Sequence, residues 1–170
     1  MSCYINSFKN RSYAIVNSGV LKRNLEKYQS LITFQSVIMA VVKADAYGHG
    51  EQIIAKYLSD NGIHHFAVSN IDEAIHIRKA GTIGQILVLG YTPIERADEL
   101  VQHNITQTLL SEDYADRLIA TSLPVKCQFA LDTGMRRIGL NADNPDECER
   151  VIRKAYHSHL QLDGLFLICV

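Results

Sequence analysis

A lysine closes the almost unbroken apolar run at residues 36–43 (SVIMAVVK), which makes Lys43 the first residue to weigh for chemistry. An ammonium at the end of such a run is costly to bury in its charged form, and a Schiff-base lysine needs that disfavouring of the charge. By position alone the commoner reading is a lysine whose stem lies along apolar surface while its head stays in water. Tyr47 stands four residues on, and Gly48 and Gly50 let the chain turn tightly beside a ligand. A second constellation is the loop 132–139 (DTGMRRIG). A glycine-punctuated loop with a guanidinium after a strand suits a carboxylate, because arginine offers a planar fork of donors. Without further context Arg136 and Arg137 read as surface charges. The histidines at 64, 65, 76, 103, 157 and 159 have no metal-ligand spacing, so no metal is expected.

These groups need elements to hold them. Residues 36–43 lack a period-two polar face and read as a strand buried on both sides. Residues 51–58 place Ile53, Ile54, Tyr57 and Leu58 on a helical stripe that stops at Asp60-Asn61-Gly62. The alternation then repeats. Residues 64–69 form a strand, and Asn70 caps the next helix with Glu73 in capping-box position. Residues 85–89 form a strand, followed by a turn at 90–93 and a helix over 94–103. Residues 105–109 lead to Ser111, a helix N-cap, and a helix to about 120. A fifth strand covers 125–131, a helix 145–157 and a sixth strand 160–169, while an earlier strand-helix pair lies at 12–17 and 18–30.

Strand-helix units running one way make this an α/β chain with a parallel sheet and right-handed crossovers. The pattern alone leaves a doubly wound sheet and a barrel both open. A complete (β/α)8 TIM-type barrel needs eight units and about 250 residues. A chain of 170 residues with about six units would be an incomplete one. In either architecture functional groups gather at the carboxyl ends of the strands, where Lys43 and the loop 132–139 fall.

Composition removes several classes of function. Seventeen basic against eighteen acidic residues, with no Lys/Arg run, offer no surface for nucleic acid. No stretch reaches the ~18 apolar residues of a membrane span, and the first residues lack a signal-peptide core. The cysteines at 3, 127, 148 and 169 have no CxxC or disulfide-like spacing and read as free thiols in a reducing compartment, hence the cytoplasm.

Residues 40–50 (AVVKADAYGHG) resemble, essentially residue for residue, the cofactor-lysine signature of the alanine racemase family. Residues 131–139 are similar to that family's DTGM-x-R-[LI]-G motif, with Arg136 in the variable position, and residues 86–92 (ILVLGYT) to its strand ending in Leu-Gly. The likeness runs from about residue 12 to residue 170. It implies a single partial domain over 1–170, the amino-terminal, pyridoxal 5'-phosphate-binding barrel portion of a racemase. The implied isomerase converts L-alanine to D-alanine, a peptidoglycan precursor. By the resemblance Lys43 bonds the cofactor covalently and is one of two proton-transfer bases. Tyr47 bonds the cofactor phosphate, and Leu89 lies near its ring. Arg137 sits near the substrate carboxylate and the cofactor's phenolic oxygen, with Met135 beside it in the substrate site. Residues 81–110, with Leu-Gly-Tyr-Thr and Thr106-Gln107-Thr108, are most similar to the serine/alanine racemases of glycopeptide-resistance systems, which adds serine as a substrate. Family enzymes are homodimers.

Departures from the pattern set further expectations. Ala130 stands where many alanine racemases carry a carbamate-forming lysine, so another group would have to orient Arg137. Gly164-Leu165-Phe166 is followed by Leu167-Ile168 where the family has Thr-His. The remaining barrel strands and the β domain with the second base are not represented in these residues. The reading therefore expects racemisation impaired or absent in this chain. A non-catalytic cofactor carrier or regulatory domain stands as an alternative, and so does a remnant or half of a split racemase, which predicts an unfinished sheet exposing apolar surface.

Overall fold

Short all-apolar runs are stable only when both faces are covered, and the chain achieves this by laying its strands side by side under helices. The computed structural model describes residues 15–168. In chain order the elements are α1 (Ser18–Gln29), β1 (Met39–Val41), α2 (Lys43–Gly48), α3 (Glu51–Asp60), β2 (His65–Val68), α4 (Ile71–Lys79), β3 (Gln85–Val88), α5 (Ala97–Gln102), β4 (Thr106–Leu109), α6 (Glu112–Ala120), β5 (Lys126–Asp132), β6 (Leu140–Asn141), α7 (Pro145–Tyr156) and β7 (Gln161–Leu167).

Every strand pair is parallel, and β1 to β5 neighbour one another in sequence order, with β6 and β7 both on β5. A doubly wound sheet reverses its order at a switch point. This one never does. The order decides between the two architectures in favour of part of a barrel wound in one direction. Its outer strands are β1 and β7, where Val41, Leu165 and Leu167 stay exposed.

The core lies between sheet and helices. Phe66, Val68, Ile86, Val88, Ile105 and Leu109 point one way, into a cluster with Ile77, Leu100 and Leu118 from the helices. The other face carries polar groups from successive strands: Gln85 Nε2 and Thr106 Oγ1 each donate to Asp163 Oδ2 at 3.3 Å. Helix starts follow their caps, with the side chains of Asn17, Asn70, Ser111 and Asn144 accepting from Val20, Glu73, Tyr114 and Glu147 amides. At the amino ends of the strands Arg78 donates to the carbonyls of Thr82, Gly84, His103 and Asn104, tying two loops together.

Several boundaries differ from the sequence expectation. The strand expected over 36–43 is only Met39–Val41, because β1 is an edge strand and its register with β2 spans those three residues. The helix expected over 94–103 splits into a 3-10 turn, Ile94–Arg96, and α5, since Arg96 at φ -109°, ψ 12° breaks the path. A strand at 12–17 is not present within the described part; Asn17 caps α1 instead, and residues 12–14 lie outside the described residues, as do Cys3 and Cys169. The short β6 lies between the loop 132–139 and the helix from Pro145, where the sequence signals no strand. It pairs with Leu131 and Asp132, and Gly139 N donates to Leu110 O at the end of β4.

Candidate functional site

Parallel strands align their carboxyl ends on one rim, and the residue types singled out above sit there. Val42 continues the line of β1, fully buried, its N–H donating to Ala67 O at 2.9 Å. Lys43 follows, half-buried. Among the described residues no hydrogen bond or ion pair engages its amine.

The backbone after Lys43 is unusual. Ala44, Asp45, Ala46 and Tyr47 all have φ between 51° and 55°, so α2 is a left-handed turn that runs through four non-glycine residues before Gly48. Each L-residue there costs roughly 1–2 kcal/mol. Four in a row persist only when neighbours over-determine them. Asp45 bonds at both ends: its carboxylate accepts from Glu51 N at 2.8 Å, and its carbonyl accepts from Gly50 N at 2.9 Å. Ala46 N donates to Val42 O, and a His49 ring nitrogen meets Ala46 O at 2.9 Å.

The remaining clamp comes from outside the segment. Glu73 Oε1 accepts from Ala44 N at 2.9 Å, and Oε2 accepts from Ser69 N and Ser69 Oγ at 2.8 and 2.7 Å. This corrects the capping-box expectation: Asn70 does accept from Glu73 N, but the Glu73 carboxylate serves the two strand ends rather than reaching back to Asn70. Tyr47, on the turn, is 62% exposed, so its hydroxyl is free to meet a ligand at the rim rather than pack in the core.

After β5 the loop is organised by its own first residue. Asp132 Oδ1 accepts from Gly134 N at 3.0 Å and Arg136 N at 2.8 Å. These two amides, Arg136 first, hold the carboxyl below the ordinary carboxylate value. Arg136 takes φ 53° and its side chain is exposed, as the variable position suggested; its backbone N–H does the bonding. Gly139 is required: at φ 109°, a Cβ there would lie 2.6 Å from Ala130 O. Met135 and Arg137 are exposed and line a small crevice with Asp132, Thr133, Phe166 and Ile168. Ile168 thus stands beside Arg137 where the resemblance would put a histidine.

Leu89 leaves β3 half-buried, its N–H donating to Val68 O at 2.9 Å. The following Gly90 packs against the β2 end, where a Cβ would be 2.4 Å from Ser69 O, and Gln107 Nε2 holds its carbonyl at 2.8 Å. Lys43, Leu89 and the Met135–Arg137 stretch therefore share one rim through the parallel register, while no hydrogen bond joins Lys43 to Tyr47 or Arg137 among the described residues. Below the turn, burial raises the carboxyl of Glu51 above the ordinary 4.5, with the His76 hydrogen bond opposing and Glu73 and Asp45 adding to the rise. Glu73 and Asp132 were not read as site residues from sequence; an acidic residue at a helix start and one at a strand end look like ordinary caps.

The chain can be set beside known proteins on this geometry. The family model described as alanine racemase, N-terminal domain, matches residues 16–169. A serine/alanine racemase of Enterococcus gallinarum is 44% identical over 120 residues, covering 71% of this chain and 17% of that protein. An alanine racemase of Clostridium perfringens is 36% identical over 158 residues, 91% of this chain and 40% of its own length. Among solved structures, an alanine racemase of Clostridium difficile 630 superposes with a TM-score of 0.78 at 30% identity, covering 88% of this chain and 40% of that one. The chain thus spans less than half the length of these relatives. A one-way parallel sheet with a lysine turn after its first strand, matched by that model over nearly all its length, places this chain in the alanine racemase N-terminal domain family.

Proposed function

We propose that this chain provides the cofactor-lysine side of a pyridoxal-phosphate-dependent amino-acid racemase acting on alanine or serine, the substrates named for its relatives. The observation that carries the reading is the half-buried Lys43 amine, engaged by nothing described, on the rim that also bears Leu89 and Arg137. The donor chemistry fits the cofactor: a primary amine, a phenol on the adjoining turn and a guanidinium after β5. Lys43 would hold it through Nζ, Tyr47 would donate to its phosphate, and Leu89 would border its ring. Arg137, with Met135 beside it, would receive the substrate carboxylate. When bound, pyridoxal phosphate acts as an electron sink that makes the α-proton of an amino acid removable.

Lys43 then moves that proton at Nζ on one face. The base for the opposite face is assigned to no residue of this chain, and D-alanine supply for the cell wall is proposed for the whole protein. Ala130, buried beside Gly139, carries no amine, so the aim of Arg137 rests on its Asp132-ordered loop. Among the described residues no helix is long and apolar enough to cross a membrane, and no group of three or more His, Cys, Asp or Glu could hold a metal. Buried Cys127 is a free thiol, in keeping with our placing the protein in the cytoplasm.

Trapping tests the reading. Borohydride added to the purified chain with pyridoxal phosphate is expected to leave a reduced adduct on Lys43, read by peptide mass spectrometry and lost in Lys43→Ala. An adduct scattered over surface lysines and undiminished in Lys43→Ala would overturn it.

A further inference from the structure

We propose that Glu73 is a positioning residue for Lys43, its two carboxylate oxygens holding the ends of β1 and β2 so that the left-handed turn aims the amine. The inference rests on the reading of Lys43 as the cofactor lysine. It starts from the peptide plane. Ala44 N and Lys43 C share one rigid amide, so a bond that fixes the Ala44 N–H also fixes ψ of Lys43 and the direction in which its side chain leaves the backbone. Glu73 Oε1 makes that bond at 2.9 Å from the first turn of α4, 29 residues on in sequence. Oε2 is anchored in turn by Ser69 N at 2.8 Å and Ser69 Oγ at 2.7 Å.

The arrangement asks for one chemical group. Two backbone N–H donors approach two oxygens of the same side chain, and only a carboxylate offers acceptors on both sides. Glutamine has the same shape but presents an NH2 to one of the two amides. The first turn of α4 also favours negative charge. If Glu73 merely filled space, glutamine would serve equally well. If it positions Lys43, glutamine fails.

The test uses the whole chain and separates the two claims. In Glu73→Gln we expect a thermal unfolding transition to persist, the Ala44 amide to lose hydrogen-exchange protection, and reductive trapping of pyridoxal phosphate on Lys43 to slow by about tenfold or more, the weight of a charged hydrogen bond. Acetylation of exposed Lys22 is expected to keep its rate. Wild-type protection at Ala44, or a wild-type trapping rate at Lys43, would overturn the positioning role while leaving the cofactor lysine intact. Failure of the unmodified chain to be trapped at Lys43 would remove the underlying reading, and this inference with it. Should Glu73→Gln not fold, the unmodified protein decides: the amide of exposed Ala44 is expected to be protected from hydrogen exchange by its bond to Glu73 Oε1. An Ala44 amide that exchanges freely would sink the proposal.

Discussion

After β1 the chain turns through four non-glycine residues at φ 51–55°, and after β5 it turns through Gly134, Arg136 and Gly139 at 129°, 53° and 109°. Both segments leave the same rim, and both carry a cationic side chain outward. Their supports differ. The β5 loop is held locally: Asp132 reaches two and four residues ahead, and glycine occupies two of its three left-handed positions. The Lys43 turn has no glycine in its four left-handed residues and borrows a carboxylate from α4. The difference teaches that the arginine we assign to the substrate can ride on a loop that organises itself. A lysine whose direction matters is tied to a neighbouring strand-helix unit.

The comparison can be broken most severely at Gly139. Gly139→Ala puts a methyl group 2.6 Å from Ala130 O at φ 109°, where backbone must move. We expect a loss of about 2–4 kcal/mol in urea unfolding, since strain and a backbone clash combine. A variant as stable as the parent would mean the β5 loop is not fixed by this close approach. Ala44→Gly sharpens the other side. In a right-handed helix that exchange costs about 1 kcal/mol. Here Ala44 is exposed at φ 53°, and relief of left-handed strain is expected to stabilise the chain by about 1 kcal/mol. The sign of the change in denaturant midpoint is the readout, and a loss would contradict the left-handed turn.

The smallest effect is expected at Asp132, which is exposed to screening by solvent. Its folded carboxyl is depressed below 3.8, so its contribution is complete above that value and is lost only as pH falls through the lower folded one. The Gly134 and Arg136 amide proton shifts should report that transition. In Asp132→Asn they should stay flat across the same acid range. Amides that titrate in the variant as in the parent would assign the loop's order to another group.

Much of the fold was legible because its signals are local. The apolar runs at His65–Val68 and Gln85–Val88 could only be buried strands, and Ser111 and Asn70 announced helix starts that the structure places where expected. Lys43 and Arg137 were legible as residues that follow strands, with motifs around them. The left-handed turn was not, because only Asp45 among Ala, Asp, Ala and Tyr belongs to a type enriched at φ near +50°, and one such residue does not announce a four-residue turn. Glu73 was misread for a related reason. Asn70 and Glu73 have capping-box spacing, yet where a carboxylate goes is settled by which unpaired amides lie within reach, and those belong to residues 44 and 69. The two-residue β6 escaped because pairing with Leu131 and Asp132, not β-propensity, creates it.

The amino-acid order by itself fixed the alternation of strands and helices and which residues follow the strands at the rim proposed for the chemistry, since periodicity, caps and short apolar runs act within a few residues. Tertiary structure alone decided the one-way order of strands, the truncation of β1 to its paired length and the carboxylate that holds the lysine turn. Those depend on which hydrogen-bonding groups meet across tens of residues, and such meetings exist only once the sheet has assembled.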